Sequence, residues 1–442
     1  MQFEFDKGIN VYEGHMMISS VPYYDVVVVG ASVGGSAAAI LFAQQGLQVA
    51  LIERSKDIDA YKKVCTHFIQ PDALPIIKRL GLAEAIEAAG GVRNGGKAWT
   101  RWGWLGSDVI SDESYGYNVR RQVLDPLLRR LAAVTPGVDF LPGLSLRELL
   151  YSGGRVVGIR ASGSERVVVE IRTQLVVGAD GRYSPTAKLA GLPAQVEPNE
   201  RFMYFAHFRN LPLVTGQAAQ LWLLNPDVAY ALPNDDGITV LSLALPKSKL
   251  AGFKSNVQDN FLKFFEGLPD GPSLKAAKQV TEVMGMLNMD NIFRKTTAPG
   301  LALVGDAALV SDPVWGEGIG RAFQSAEWLV DATAAALTGG DPKAIDQALA
   351  QYRRKHDSSL GGRFARDADF AQARPFNVFE RLMYSAATRD PNLGQYTGPH
   401  TTRLTNFRHF PSLKAIVRAV WINLTYRDRT RQALPGPSLA QV

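Results

Sequence analysis

The sequence predicts an α/β fold: a parallel-sheet domain, an antiparallel sheet inserted into it, and a helical extension at the C-terminal end. Three observations lead there. A β-branched run, a glycine-rich turn, a helix of small residues and a second apolar strand follow one another between Asp25 and Ile52. A meander of alternating strands fills residues 201–246. A short apolar strand then returns at Leu301–Val304 and leads to a long helical stretch, Gly318–Leu337.

Taken in order, Asp25–Val29 is the β-branched strand, Gly30–Gly35 the turn, Ser36–Gln45 the helix, and Gln48–Ile52 the second strand. Strand, turn, helix and strand make one βαβ unit, and the short apolar runs suit a parallel sheet covered on both faces. Helical periodicity follows at Pro71–Leu80, Leu82–Ala89 and Arg121–Ala133. Between them lie a glycine-rich loop, Gly90–Gly96, and an aromatic segment, Trp99–Trp104. Strands are expected at Arg155–Arg160, Arg166–Ile171 and Gln174–Val177. The meander comprises Arg201–Asn210, Gln220–Leu224, Val228–Leu232 and Ile238–Leu245, the last two joined by the hairpin turn Asn234-Asp-Asp-Gly237. Helices are expected at Asn256–Gly267 and Leu274–Val283, and again through most of 341–442. This divides the chain into a tail (1–24), a nucleotide-type domain (25–195), an inserted sheet (196–292), a return segment (293–340) and a helical region (341–442). In the tail, Phe3 and Phe5 alternate like a short edge strand.

Composition excludes several classes. Hydrophobic residues make up 46% and charged residues 20%, as in a folded globular protein. A single cysteine, Cys65, leaves no disulfide framework and no thiolate metal cage, which suits a reducing cytoplasm. Six scattered histidines show no metal-ligand spacing. Met1–Tyr24 carries Glu4, Asp6 and Glu13, unlike a secretory leader. The apolar stretch Val26–Ala43 is broken by Gly30, Gly34 and Gly35, unlike a membrane span. The net charge is +6, and residues 401–442 alone hold seven basic side chains and one acid. The other residues balance, which argues against a nucleic-acid binder.

Three motifs carry the chemistry. In Gly30-Ala-Ser-Val-Gly-Gly35, glycines allow a sharp turn and a close approach of pyrophosphate to the first N–H groups of a helix. Ser32 departs from the usual middle glycine. Glu53, 18 residues after Gly35 and followed by Arg54, ends the second strand, where a carboxylate can accept both hydroxyls of an adenosine ribose. The second motif is Gly178-Ala-Asp-Gly-Arg-Tyr-Ser184, with Asp180 after a strand. The third is Leu303-Val-Gly-Asp-Ala-Ala308 with Pro313-Val-Trp-Gly-Glu-Gly318. In it Gly305 and Asp306 end a strand, and Pro313, Gly316, Gly318 and Ile319 start a helix.

These motifs, in this order, resemble the group A flavoprotein monooxygenases, a fold shared with flavin-dependent halogenases and geranylgeranyl-reductase-like enzymes. The resemblance spans roughly residues 24–340. It implies a Rossmann-type FAD-binding domain with an inserted antiparallel substrate-binding sheet and a C-terminal helical extension. It also implies that Asp306 takes the ribityl chain, that Asp180 lies near the flavin pyrophosphate, and that the helix after Gly316 and Gly318 faces the pyrimidine edge of the isoalloxazine. Arg121-Gln-Val-Leu124 is similar to the family's Arg-x-x-Leu helix start, whose arginine faces the flavin phosphates. Lys63–Gln70, with Cys65 and His67, resembles the loop that passes the flavin in reductase-like relatives. Two departures stand out: Lys188 where arginine is usual, and Leu309 where histidine is usual.

No second nucleotide fingerprint is present, so NAD(P)H is expected to bind transiently as reductant. The resemblance implies an NAD(P)H-dependent monooxygenase that hydroxylates or epoxidises an aromatic or polycyclic small molecule of specialised metabolism. Three alternatives share the fold. A halogenase is echoed by Trp102-Gly-Trp104, a geranylgeranyl-type reductase by Tyr230-Ala-Leu-Pro233, and a cyclase would use FAD without redox chemistry. His67, His207 and Tyr230 are the candidate catalytic residues, with Tyr204 and Trp222 as further pocket candidates. Tyr204 and His207 point to opposite faces of one strand, so only one of them can face a pocket on the flavin side.

In the C-terminal region, Leu413, Ile416, Val417, Val420, Trp421 and Leu424 form one helical stripe within 412–432. The expectation is a helix docked through that stripe, its basic residues solvated; the alternative is a helix lying on a membrane surface.

Overall fold

The computed structural model describes residues 21–106, 115–163, 168–394 and 412–425. The expected edge strand at Phe3 and Phe5, the strand start at Arg166, and Arg403, Arg408, Arg427, Arg429 and Arg431 lie outside them.

The chain adopts the expected α/β architecture. Its main sheet runs Thr297–Ala298, Leu301–Leu303, Val168–Gly178, Tyr23–Val29, Val49–Glu53, Val138–Pro142, all parallel except the first strand. The antiparallel ribbons Ser145–Ser152 and Arg155–Ser162 extend from Val168–Gly178. Alternate residues of Tyr23–Val29 explain its apolar character. Val26 and Val28 enter one core, Val27 and Val29 the other. Both faces are therefore dry, as a covered parallel sheet requires. The helix Val33–Gln44 is buried from Val33 to Ala43, and its small residues let it lie between the sheet and the helix Gly318–Gly339.

The second sheet has the order Lys278–Gln279, Arg201–Arg209, Ile238–Pro246, Val228–Pro233, Ala219–Leu223, Gly96–Thr100, Gly103–Leu105. Met284–Met286 pairs with Arg201–Arg209 as a further edge strand. The aromatic segment near residue 100, which the expected division left in the nucleotide domain, thus joins this sheet through a parallel pairing of Gly96–Thr100 with Ala219–Leu223. Its two faces are distinct cores. Phe202, Tyr204, Ala206 and Phe208 pack with Trp222 against Phe253, Phe261, Phe264 and Phe265 of the helices Leu250–Ser255 and Val257–Glu266. Met203, Phe205, Leu221, Tyr230 and Val240 face the flavin-type domain and the C-terminal helices.

The helix expected at Leu274–Val283 does not form; Lys278–Gln279 is a short strand there. Lys275, Lys278 and Glu282 interrupt an apolar stripe already weak, and pairing with Phe208 and Arg209 satisfies the backbone instead.

The C-terminal region is helical at Pro342–Ala371, Val378–Ala387, Pro391–Gly394 and Leu413–Thr425. The last helix docks by the opposite face from the one expected. Ala415, Ala419 and Ile422 are buried, whereas Leu413, Val417, Val420, Trp421 and Leu424 are exposed. Alanines allow the closer approach to Val378–Ala387, to which Asn423 also donates through the Leu382 carbonyl.

Candidate active site

At the first turn, glycine is required by space. A Cβ on Gly35 would sit 1.8 Å from the Gly30 carbonyl oxygen, and one on Gly30 would sit 2.7 Å from that of Ala179. Ser32 is the N-cap of the following helix, yet its side chain caps nothing. Its hydroxyl accepts instead from the Arg121 guanidinium at 2.7 Å. The helix therefore offers its first N–H groups, and the macrodipole, to an anion. Glu53 accepts from Ala31 N–H at 2.9 Å and from Ser55 N–H at 3.0 Å. Its carboxylate is thereby fixed at the strand end with lone pairs to spare. Arg54 beside it is exposed.

Arg121 is buried and bonded to both Asp125 oxygens, at 2.7 and 3.0 Å. Eight residues after Arg121 on the same helix face, Arg129 donates to the Ala31 carbonyl at 2.8 Å. Sequence reading missed Asp125 and Arg129, although their successive spacing of four after Arg121 was visible.

Asp306 follows the strand Leu301–Leu303, and Lys62 Nζ donates to its carboxylate at 2.9 Å. Burial would raise this carboxyl, but the charges of Lys62, Arg121 and Arg182 override it and hold Asp306 below the usual range. Gly305 donates its N–H to Ser325 Oγ at 2.9 Å, which seats the loop on the helix behind it. Pro313 begins a turn capped by Asp312, and Gly316 closes it in the left-handed region at φ 62°. Gly318 opens the next helix with free space where a Cβ would stand and no side-chain cap. Ile319 points into the core, so only its backbone is available to a ligand.

Asp180 is less free than the resemblance implies. Its carboxylate accepts from Ser184 Oγ, Thr186 N–H and Thr186 Oγ1 at 2.5–2.7 Å, which staples the Asp-Gly loop to its own short helix. Lys188, on that helix, is exposed.

Two uncapped helix starts, a turn that excludes side chains, a fixed carboxylate at Glu53 and an ionised Asp306 among cations form a donor and acceptor set matching a dinucleotide of diphosphate and ribityl type. FAD would lie with its pyrophosphate at Ser32–Gly35, its ribityl chain at Asp306 and its pyrimidine edge at Gly316–Gly318.

The three candidate catalytic residues sit on the sheet side of this path. His67, in the loop just before the strand Phe68–Ile69, and His207, on the strand Arg201–Arg209, meet edge to face, ring centroids 5.5 Å apart. Both are buried, and neither Nε2 has a hydrogen-bond partner. Burial, and then Arg121, push the His67 imidazole down to about 3. Burial, and then His67 itself, push His207 down to about 4. His67 Nδ1 accepts the Arg121 N–H at 3.0 Å, so the proton of the neutral ring lies on Nε2. Phe68, the next residue, lies beside Gly316, 3.1 Å from where a Cβ would stand. Tyr230 donates to the Val314 carbonyl at 2.5 Å, and burial pushes its phenol far above the usual range. It holds the sheet against the 312–316 turn and has no free proton to give.

Tyr204 and Trp222 do not join the site. Both lie on the far face of the sheet, where Tyr204 stacks on Phe253 and Trp222 Nε1 donates to the Pro269 carbonyl. Trp104 packs against Trp222 on the same far side. Cys65 is partly buried against the first core, its sulfur accepting the His67 N–H.

Arg201 and Asp312, wholly buried, were also missed. They pair at 3.3 Å, and Arg201 lies 4.4 Å over the Phe370 ring. Burial raises the Asp312 carboxyl despite Arg201. Asp235, in the hairpin turn, accepts from Arg120 N–H and Nε at 2.6 and 2.8 Å, beside the histidine pair. Sequence alone shows none of these as partners, because each pair is separated by more than a hundred residues.

Fold and site together define an FAD-dependent oxidoreductase. The chain belongs to the FAD binding domain family, whose profile matches residues 23–359. It is 26% identical over 382 residues to a digeranylgeranylglycerophospholipid reductase of Methanothrix thermoacetophila, covering 83% of this chain and 92% of that one. Among solved structures, the flavin-dependent brominase Bmp2 superposes with a TM-score of 0.73 at 19% identity, over 92% of this chain and all of the other. PqsL, described as a probable FAD-dependent monooxygenase from Pseudomonas aeruginosa, gives a TM-score of 0.61 at 19% identity, over 85% and 99%.

Proposed function

We propose that this chain is an NAD(P)H-dependent monooxygenase acting on an electron-rich ring that carries an oxygen substituent. One observation carries the reading. His67 presents an Nε2–H with no acceptor, beside the His207 ring and next to Phe68, which lies against Gly316. An unsatisfied buried donor costs about 1–3 kcal/mol, and a substrate oxygen relieves that cost. Bound FAD supplies the two-electron chemistry that splits dioxygen. One oxygen atom enters the substrate, the other leaves as water, and NAD(P)H gives the two electrons. A surface groove whose lining holds five basic residues, Arg294, Lys295, Arg353, Arg354 and Lys355, against one acid, Asp357, supports a phosphate-bearing reductant. Arg294 connects that groove to the Asp306 loop by donating to the Ala307 carbonyl at 3.0 Å.

A second reading is reduction of an isolated double bond, favoured by the reductase relative and by the strand Tyr230-Ala-Leu-Pro233. One assay separates the readings. The flavin-loaded protein is given NAD(P)H and candidate substrates, with labelled dioxygen or without oxygen. Label in the product supports the monooxygenase. A product that gains two hydrogens without oxygen establishes the reductase instead, and turnover with neither oxygen nor NAD(P)H establishes a cyclase.

A further inference from the structure

The helix Leu413–Thr425 presents its large apolar residues to the outside. Leu413 is 78% exposed, Trp421 61% and Leu424 62%, with Val417 and Val420 beside them. At about 100° per residue these five fall within one stripe roughly 100° wide. Ala415, Ala419 and Ile422 occupy the opposite side and make the buried contact. The stripe is therefore not the helix's docking surface. A soluble surface scatters such residues singly, whereas a contiguous stripe marks a contact.

Charge says which contact. Lys414 and Arg418 border the stripe on one flank, Arg418 paired with Asp390 of the neighbouring segment. Residues 401–442 carry seven basic side chains and one acid, while the rest of the chain is neutral overall. An apolar stripe with tryptophan, edged by lysine and arginine, is the pattern of a helix lying in a membrane interface. Thirteen residues span only about 20 Å, too short to cross a bilayer. Among the described residues, no helix is long and apolar enough to do so.

We propose that this C-terminal helix seats the protein on an anionic lipid surface, with Leu413, Val417, Val420, Trp421 and Leu424 inserted and the basic residues at the headgroups. The inference is independent of the reaction the flavin serves, and its test reads no turnover.

The test is co-sedimentation of the full chain with phosphatidylcholine vesicles, with and without phosphatidylglycerol. The wild type binds the anionic vesicles at low salt and is released as salt rises, with little binding to phosphatidylcholine alone. The double variant Val417→Glu/Trp421→Glu binds about tenfold or more weakly, with melting temperature and flavin content unchanged. Should the glutamates disturb folding, Val417→Ser/Trp421→Ser gives the same weakening. The proposal is overturned if the wild type ignores anionic vesicles, or if folded variants bind them as well as it does. It is equally overturned if the wild type is a dimer that ignores the vesicles and the substitutions make it monomeric, since a second copy then covers the stripe.

Discussion

Asp306 illustrates how a single residue acquires its chemistry from its neighbours. Alone and buried, a carboxyl would resist ionisation. Lys62, Arg121 and Arg182 reverse that and keep an ionised acceptor at the strand end, where ribityl hydroxyls would arrive. Lys62, half-exposed, holds the position by an ion pair that exposure makes weak. Replacing Asp306 with Ala is expected to weaken FAD binding by roughly 1–3 kcal/mol, the scale of a hydrogen bond to a charged group. Fluorescence titration of the apoprotein with FAD measures it, and an unchanged affinity removes Asp306 from the ribityl position. The residue was legible in the sequence because a motif fixes it to a strand end. Lys62 was not, since it lies 244 positions away along the chain.

At the scale of elements, one two-residue strand and one nine-residue strand create the histidine pair. Phe68–Ile69 brings His67 in from the nucleotide-type domain, and Arg201–Arg209 brings His207 from the sheet. Their contact exists only because the two elements are packed face to face. It predicts a pH dependence of stability. In the unfolded chain both rings take a proton near the ordinary value of about 6.5. Folded, they resist it down to about 3 and about 4. Their contribution is therefore complete above about pH 6.5 and is lost as pH falls below it, by up to about 1.4 kcal/mol per pH unit for each ring. Urea unfolding between about pH 7 and pH 5 should show a steeper loss for the wild type than for His207→Leu. Equal slopes would show that His207 protonates freely in the folded state.

For the molecule as a whole, the question is what holds the sheet over the flavin path. Arg201 and Asp312 link the sheet to the 312–316 turn, and Tyr230 does so by its hydroxyl. Breaking a buried pair on one side leaves an uncompensated charge, at a cost of about 3–5 kcal/mol. Arg201→Ala should lower stability by that amount, and Arg201→Met/Asp312→Leu should recover most of it, because two apolar residues leave no charge behind. Equal losses in single and double variants, measured by urea unfolding, would mean that the pair's charges are not what the site depends on.

By itself the sequence determined the α/β class, the βαβ unit, the glycine turns, the Asp306 loop and the alternating meander. All of these are local: glycine where a Cβ has no room, period-two burial in strands, motif residues fixed to strand ends. The tertiary structure alone decided which face each element uses. Tyr204 and Trp222 read as pocket residues, yet a second core of phenylalanines covers them. The stripe from Leu413 to Leu424 read as a docking surface, yet the alanines opposite gave the closer fit. Both faces of the Arg201–Arg209 strand and of the last helix are apolar, and periodicity cannot rank two apolar faces. Complementarity with a partner distant in the chain does, and that is a property of the packed molecule.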